Sequence, residues 1–129
     1  MSLRTPLGKV LGRGSAKSGV SHWWSQRVTA VALVPLGLWF AFQAVHLPLT
    51  DLDAVRAWVA HGINPVLLVL FLLALCRHSA LGVQVVLEDY VHAKGLKVAS
   101  LLASTFAHLL LAAAGIYAVL RIAFTTGSA

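Results

Sequence analysis

His78 and the pair Asp89-Tyr90 are the residues of this chain best equipped for chemistry, and all three lie in one stretch, RHSALGVQVVLEDY. Eleven positions separate His78 from Asp89. On an α-helix that is almost three turns, so the two side chains share a face, roughly 16 Å apart along the axis. Gly82, one turn after His78, falls on that face too. A glycine there leaves room for something flat and bulky to press on the backbone. A haem ring ligated by His78 suits that space. The Tyr90 hydroxyl can donate a hydrogen bond to a quinone carbonyl, and the neighbouring carboxylate can orient a basic partner or relay protons. The stretch therefore suggests a path for electrons or protons.

Each residue also has a plainer reading. His78 can bond a facing carbonyl or hydroxyl within a helix bundle. Asp89 and Tyr90 can be a solvated acid beside an interfacial tyrosine. His108 is a rival haem ligand, with hydrogen bonding between helices as its structural alternative. Arg77 needs an acid, a haem propionate or water, because an arginine facing lipid costs about 3 kcal/mol on insertion scales. Arg27 either snorkels to lipid phosphates or reaches inward to a propionate or quinone. His46, His61 and His92 sit where solvation is expected. Cys76 is the only cysteine, so no disulfide forms within the chain, and a small buried hydrophobe is its expected role.

The elements that position these residues follow from composition. Apolar residues make up 59% of the chain and charged residues 11%, less than half the share of about 25% typical of soluble domains. The expectation is an integral, all-α membrane protein forming a single unit. It is too small to enclose a large site alone, so a partner is expected. Ten basic residues face four acidic ones, but Arg4, Lys9, Arg13, Lys17 and Arg27 all precede the first apolar run. That is a cytoplasmic tail under the positive-inside rule, not a nucleic-acid site. The lead is long and no small-residue cleavage site follows it, so a retained span is expected rather than a signal peptide.

Three spans are predicted, over about 28–47, 65–88 and 98–124, after a basic segment 1–27; residues 28–129 form the anchor domain. Trp23 and Trp24 read as interface anchors, and Pro35 and Gly37 as a bend that bundle neighbours tolerate. Thr50 with Asp53 resembles an N-cap for a short surface helix carrying Val55, Trp58 and Val59. Asn64-Pro65 suits the start of the second span. Its apolar run, Val66 to Cys76, is too short to cross about 30 Å of hydrocarbon, which takes roughly 20 residues. The helix must therefore continue through Arg77 and His78 towards Glu88. Ser100, Ser104 and Ala107, then Ala114, Gly115 and Ala118, put small residues at spacings that allow close helix approach. Basic residues load the tail and the loop with Lys94 and Lys97, so the N-terminus is expected in the cytoplasm and the C-terminus in the periplasm.

Two segments carry a family resemblance that runs along nearly the whole chain. One is GVSHWWSQRVTAVAL; the other is His78-x3-Gly82-x6-Asp89-Tyr90 on the second span. With them the chain resembles the hydrophobic membrane-anchor subunit (the SdhD type) of bacterial succinate dehydrogenase, the cytochrome b component of respiratory complex II. The resemblance implies a multi-pass protein of the bacterial cytoplasmic (inner) membrane whose three helices pack with a companion three-helix anchor subunit (the SdhC type). It implies that His78 is one axial ligand of haem b, the other coming from the companion. Tyr90 would hydrogen-bond ubiquinone, Asp89 would pair with an arginine of the companion, and Arg27 would lie near the haem propionates and the quinone pocket. Flavoprotein and iron–sulfur subunits would dock on the cytoplasmic side, oxidise succinate in the tricarboxylic acid cycle and pass electrons to the quinone. This chain would hold no flavin or iron–sulfur cluster and oxidise no succinate alone. The alternatives are a fumarate reductase anchor using menaquinol and a cofactor-free helical scaffold.

Overall fold

The computed structural model describes residues 17–126, with side chains from residue 19 onward. The basic residues Arg4, Lys9 and Arg13 lie outside the described residues, as does the side chain of Lys17. Four helices follow one another: α1, Lys17–His46; α2, Leu52–Ala60; α3, Asn64–Tyr90; and α4, Lys94–Thr126. Three of them, α1, α3 and α4, are long and apolar enough to cross a membrane. The chain is thus an all-α, three-span membrane protein, and no strand occurs among the described residues.

The helix α1 begins well before its apolar run, at Lys17, and continues through Pro35. The segment SHWWSQR contains no helix breaker, so backbone hydrogen bonding continues where the hydrophobic signal stops. Helix α3 runs unbroken through Arg77 and His78 to Tyr90. It packs against both α1 and α4, whose own backbones do not approach each other closely. Phe40 of α1 stacks on Phe71 of α3 at 5.1 Å between ring centroids, and His108 of α4 reaches Ser79 of α3.

The short helix α2 starts differently from its predicted cap. Asp51, not Thr50, is the N-cap: its carboxylate accepts from the amides of Asp53 and Ala54 at 3.0 and 3.2 Å. Asp53 instead pairs with Arg56 on the exposed face at 3.2 Å. Asn64 is also not a cap. Ile63 holds that position without a side-chain bond, and the Asn64 amide donates 2.7 Å to the carbonyl of Trp58. Asn64 is thereby buried and ties the end of α2 to the start of α3. Gly62, at φ +54°, makes the left-handed turn between them. Trp58 stacks on Trp39 of α1 at 5.8 Å, fixing α2 beneath the bundle.

Gly115 marks a close approach of α3 and α4. A Cβ built there lies 3.1 and 3.4 Å from the two terminal carbons of Leu72. Those carbons end a flexible side chain, so Gly115→Ala is expected to be absorbed by a small shift of Leu72. Gly115→Val adds two branches where no such shift suffices, and overpacking of this kind costs about 1–3 kcal/mol. Thermal unfolding of the detergent-solubilised protein is expected to leave the alanine variant near wild type and lower the valine variant by several degrees. Equal behaviour of the two would mean that the helices are not held this close.

Very little apolar surface is internal. Only Val59, Leu68 and Leu81 are buried among the described hydrophobic residues, while Trp23, Val31, Leu38, Phe106, Leu110 and many others stand exposed. In water such a surface would be untenable; for a helix bundle in lipid it is the outer face.

Candidate functional site

The site is built where the first turns of α1 cross the middle of α3. Thr29 and Gln26 lie one helical step apart on α1 and both face His78, which is half-buried. The Thr29 hydroxyl has one proton, and it goes to the carbonyl of Ser25 at 2.8 Å, with that of Gln26 at 3.1 Å. Its oxygen is left to accept from His78, whose Nδ1 is 3.1 Å away. Nδ1 therefore carries the imidazole proton, and Nε2 holds the lone pair. Among the described residues only the side-chain amide of Gln26 faces that lone pair, at 3.5 Å, the long limit of a hydrogen bond.

Between α1 and α3 is an open cleft of about 810 Å³, lined by Gln26 and Arg77 but not by His78 itself; its size is within the range of about 300–1,000 Å³ typical of small-molecule and cofactor sites. His22, Gln26, Arg77, Gly82, Gln84 and Glu88 are among its walls. At Gly82 the one described atom within 4 Å of a built Cβ is the Gln26 amide nitrogen, at 3.9 Å. Leu81, next to it, is 2% exposed and pins this part of α3 to the bundle. Two polar atoms at the cleft, Nε2 of His22 and Oε1 of Gln26, are buried without a hydrogen-bond partner among the described residues. Buried polar groups are ordinarily satisfied, so this pair marks the cleft as a place prepared for polar groups from elsewhere.

The remaining predicted residues spread out along the same end of the bundle. Arg77 is exposed at the cleft's edge and makes no ion pair among the described residues. Arg27 is not among the cleft's lining residues, but its guanidinium lies 5.5 Å from the centre of the ring of Trp23, which is one of them. Asp89 is exposed, and Tyr90 ends α3 at 78% exposure. The end of α3 is secured by Lys97, which donates 2.7 Å to the carbonyl of Glu88, and by Gln84, which donates 2.8 Å to the Glu88 carboxylate. His78 and Gly82 are thus brought together around Gln26, with Arg77 at the rim, whereas Asp89, Tyr90 and Arg27 meet no other predicted site residue.

His108 is engaged at both nitrogens. Nδ1 donates to the carbonyl of Ser104 at 2.7 Å, and Nε2 accepts from the hydroxyl of Ser79 at 3.1 Å. With its lone pair used, it joins α3 to α4, which is the structural role open to it from the sequence. Among the described residues no group of three or more His, Cys, Asp or Glu side chains could hold a metal ion.

A sequence profile described as "Succinate dehydrogenase/Fumarate reductase transmembrane subunit" matches residues 1–120 of the chain. The chain is 34% identical to the succinate dehydrogenase hydrophobic membrane anchor subunit of Rickettsia bellii (strain RML369-C), over 73% of this chain and 75% of that protein. It is 31% identical to the succinate dehydrogenase membrane anchor subunit of Reclinomonas americana, over 66% of this chain and 73% of the relative. The corresponding subunit of Paracoccus denitrificans is 27% identical over 91% of this chain and 90% of its own length. No solved structure matches the chain.

Proposed function

The chain belongs to the succinate dehydrogenase/fumarate reductase transmembrane subunit family, as a membrane-anchor subunit of succinate dehydrogenase, and on that premise we propose that it supplies half of a haem b site and part of a ubiquinone site. His78 would be the axial donor on this side, and a histidine of a companion anchor subunit the other. Tyr90, supported by Asp89, would bind the quinone. The observation that carries the reading is the state of His78: its Nδ1 proton is used by Thr29, its Nε2 lone pair is nearly free, and it adjoins the clearance at Gly82.

The residues present fit a haem. A b-type haem, when bound, provides a one-electron redox centre whose potential the protein tunes. The Gln26 amide faces the position an iron ligated by Nε2 would need. It is weakly held there, at 3.5 Å and with its own oxygen unpartnered, so moving it aside costs little. His22 Nε2 and Arg77 offer donors for propionate carboxylates at the cleft. Arg27 is a second-choice donor, because it is already occupied by Trp23. The cleft is open on its far side and the chain's apolar faces are exposed. Those features support a second helical subunit closing over both.

The quinone would take up two electrons and two protons to become quinol. The electrons originate in succinate oxidised by a flavoprotein subunit and pass through an iron–sulfur subunit. Tyr90 would hold a carbonyl oxygen by its hydroxyl, and Asp89 would keep a basic group of the companion in place beside it. The distribution of basic residues supports a cytoplasmic tail in segment 1–27, a three-span anchor in 28–129, and the Tyr90 end of α3 near the cytoplasmic side of a bacterial inner membrane.

Copurification tests this reading. The chain, isolated under mild detergent from cells making the whole complex, is expected to bring down a second hydrophobic subunit and two soluble ones. Its dithionite-reduced minus oxidised spectrum is expected to show the α-band of a low-spin b-type haem. A complete complex without such a band would leave an anchor subunit with no haem.

A further inference from the structure

We infer that Thr29 is a positioning residue for the haem site: its hydroxyl fixes the tautomer and ring orientation of His78 and strengthens Nε2 as a donor. The inference rests on His78 being the haem ligand. It goes further by assigning a role to a residue on a different helix.

The bonds run in one direction. Ser25 O takes the hydroxyl proton at 2.8 Å, Thr29 Oγ1 takes the Nδ1 proton of His78 at 3.1 Å, and Nε2 is left unprotonated. An imidazole that gives its second N–H to an oxygen is both held in rotation and made more basic at the ligating nitrogen. Here the acceptor is itself polarised, because its own proton is committed to a backbone carbonyl. The alternative tautomer would leave the Thr29 oxygen facing a lone pair and put the proton on Nε2, where it blocks ligation. Thr29 is β-branched and restricted at χ1. Its hydroxyl bonds back to the i−4 and i−3 carbonyls of α1, so the acceptor is rigid before His78 reaches it.

The spacing also makes α1 part of the site. Thr29 bonds His78 from one side, while Gln26, a turn earlier, faces Nε2 and Gly82. Insertion of the first span thereby sets the angle of a ligand carried by the second.

The test uses the assembled complex carrying Thr29→Val, which keeps shape and removes the hydroxyl, and Thr29→Ser, which keeps the hydroxyl and removes a methyl. Assembly is checked by copurification of the other subunits. Thr29→Ala takes the place of the valine variant if that one does not assemble. The readouts are the midpoint potential of the bound haem and the haem retained after incubation with excess apomyoglobin. A stronger donor favours oxidised iron, so losing the hydroxyl is expected to move the midpoint in the positive direction and weaken retention about 10–100-fold. Thr29→Ser should stay close to wild type. Complete loss of haem in the valine variant, with haem kept in the serine variant, also supports the inference. A midpoint in Thr29→Val equal to that of wild type overturns it, whatever the haem content, and so does equal loss of haem in both variants. A wild-type complex without haem overturns the underlying reading of His78 instead, and is recognised before any variant is made.

Discussion

Replacing His78 by alanine is expected to abolish the low-spin haem signal of the complex while leaving its subunits associated. Loss of an outer-shell partner alone commonly costs about 10–100-fold in affinity for a bound metal group, and losing an axial donor should cost at least as much. Any haem that stays would be held by the companion's ligand only, with the spectrum of a five-coordinate, high-spin centre. The bundle itself should survive. The side chain contributes one firm interhelical hydrogen bond, to Thr29, and such bonds in membrane bundles average about 0.6 kcal/mol. His108→Phe provides the contrast: that imidazole is engaged on both sides, by Ser104 and Ser79, so its removal should loosen the α3–α4 contact and leave the band unchanged. An unaltered low-spin band in His78→Ala, or its loss in His108→Phe, would show that the ligand had been assigned to the wrong histidine.

What was legible in the sequence was the load on each helix. A run from Val66 to Cys76 cannot cross a bilayer, so the second span had to take in Arg77 and His78, and α3 does so without a break. The small residue at Gly115 likewise signalled a close helix contact, which Leu72 now makes. What was not legible was the partner of each polar side chain. Gln26 and Thr29 stand among the tryptophans at the head of α1, where polar residues are ordinary interface composition. Their spacing of three does place them on one face, and that was the available signal. Ser79 was hidden by its neighbour: beside a histidine it reads as filler, yet it satisfies His108 across the bundle. The caps were missed for a similar reason. Thr50, Asp51 and Asp53 are all competent at a helix start, and only the backbone geometry selects Asp51. Asn64 looked like a cap by residue type, but the end of α2 offered its amide the carbonyl of Trp58, and that bond prevailed over the cap.

The wide separation of the two predicted chemistries along α3 also has a physical cause. His78 is half-buried because α1 covers one side of it. Tyr90 ends the helix with its side chain 78% exposed, and in the loop to α4 that follows His92 bonds the Tyr90 carbonyl at 3.1 Å. A ligand donor gains from a rigid, shielded setting, whereas a group that meets a diffusing substrate must be reachable. One helix offers both settings, half-buried at His78 near its middle and exposed at its end.

That exposure shapes the second large effect. Tyr90→Phe is expected to slow quinone reduction while leaving haem content and subunit composition intact. The Tyr90 hydroxyl makes no hydrogen bond to the described residues, and the side chain is 78% exposed, so removing the oxygen should cost the fold almost nothing. If the hydroxyl donates to a quinone carbonyl, the loss is one hydrogen bond of about 1 kcal/mol, or about fivefold in kcat/KM. A bond that strengthens as negative charge develops on the carbonyl oxygen would be worth more, and the excess would appear in kcat rather than in KM. Electron delivery to a water-soluble acceptor that intercepts the chain before the quinone should be unchanged, which separates a quinone defect from a general one. Equal quinone turnover in wild type and Tyr90→Phe would reduce Tyr90 to an interfacial anchor, and the substrate would then have to be held by the companion subunit alone.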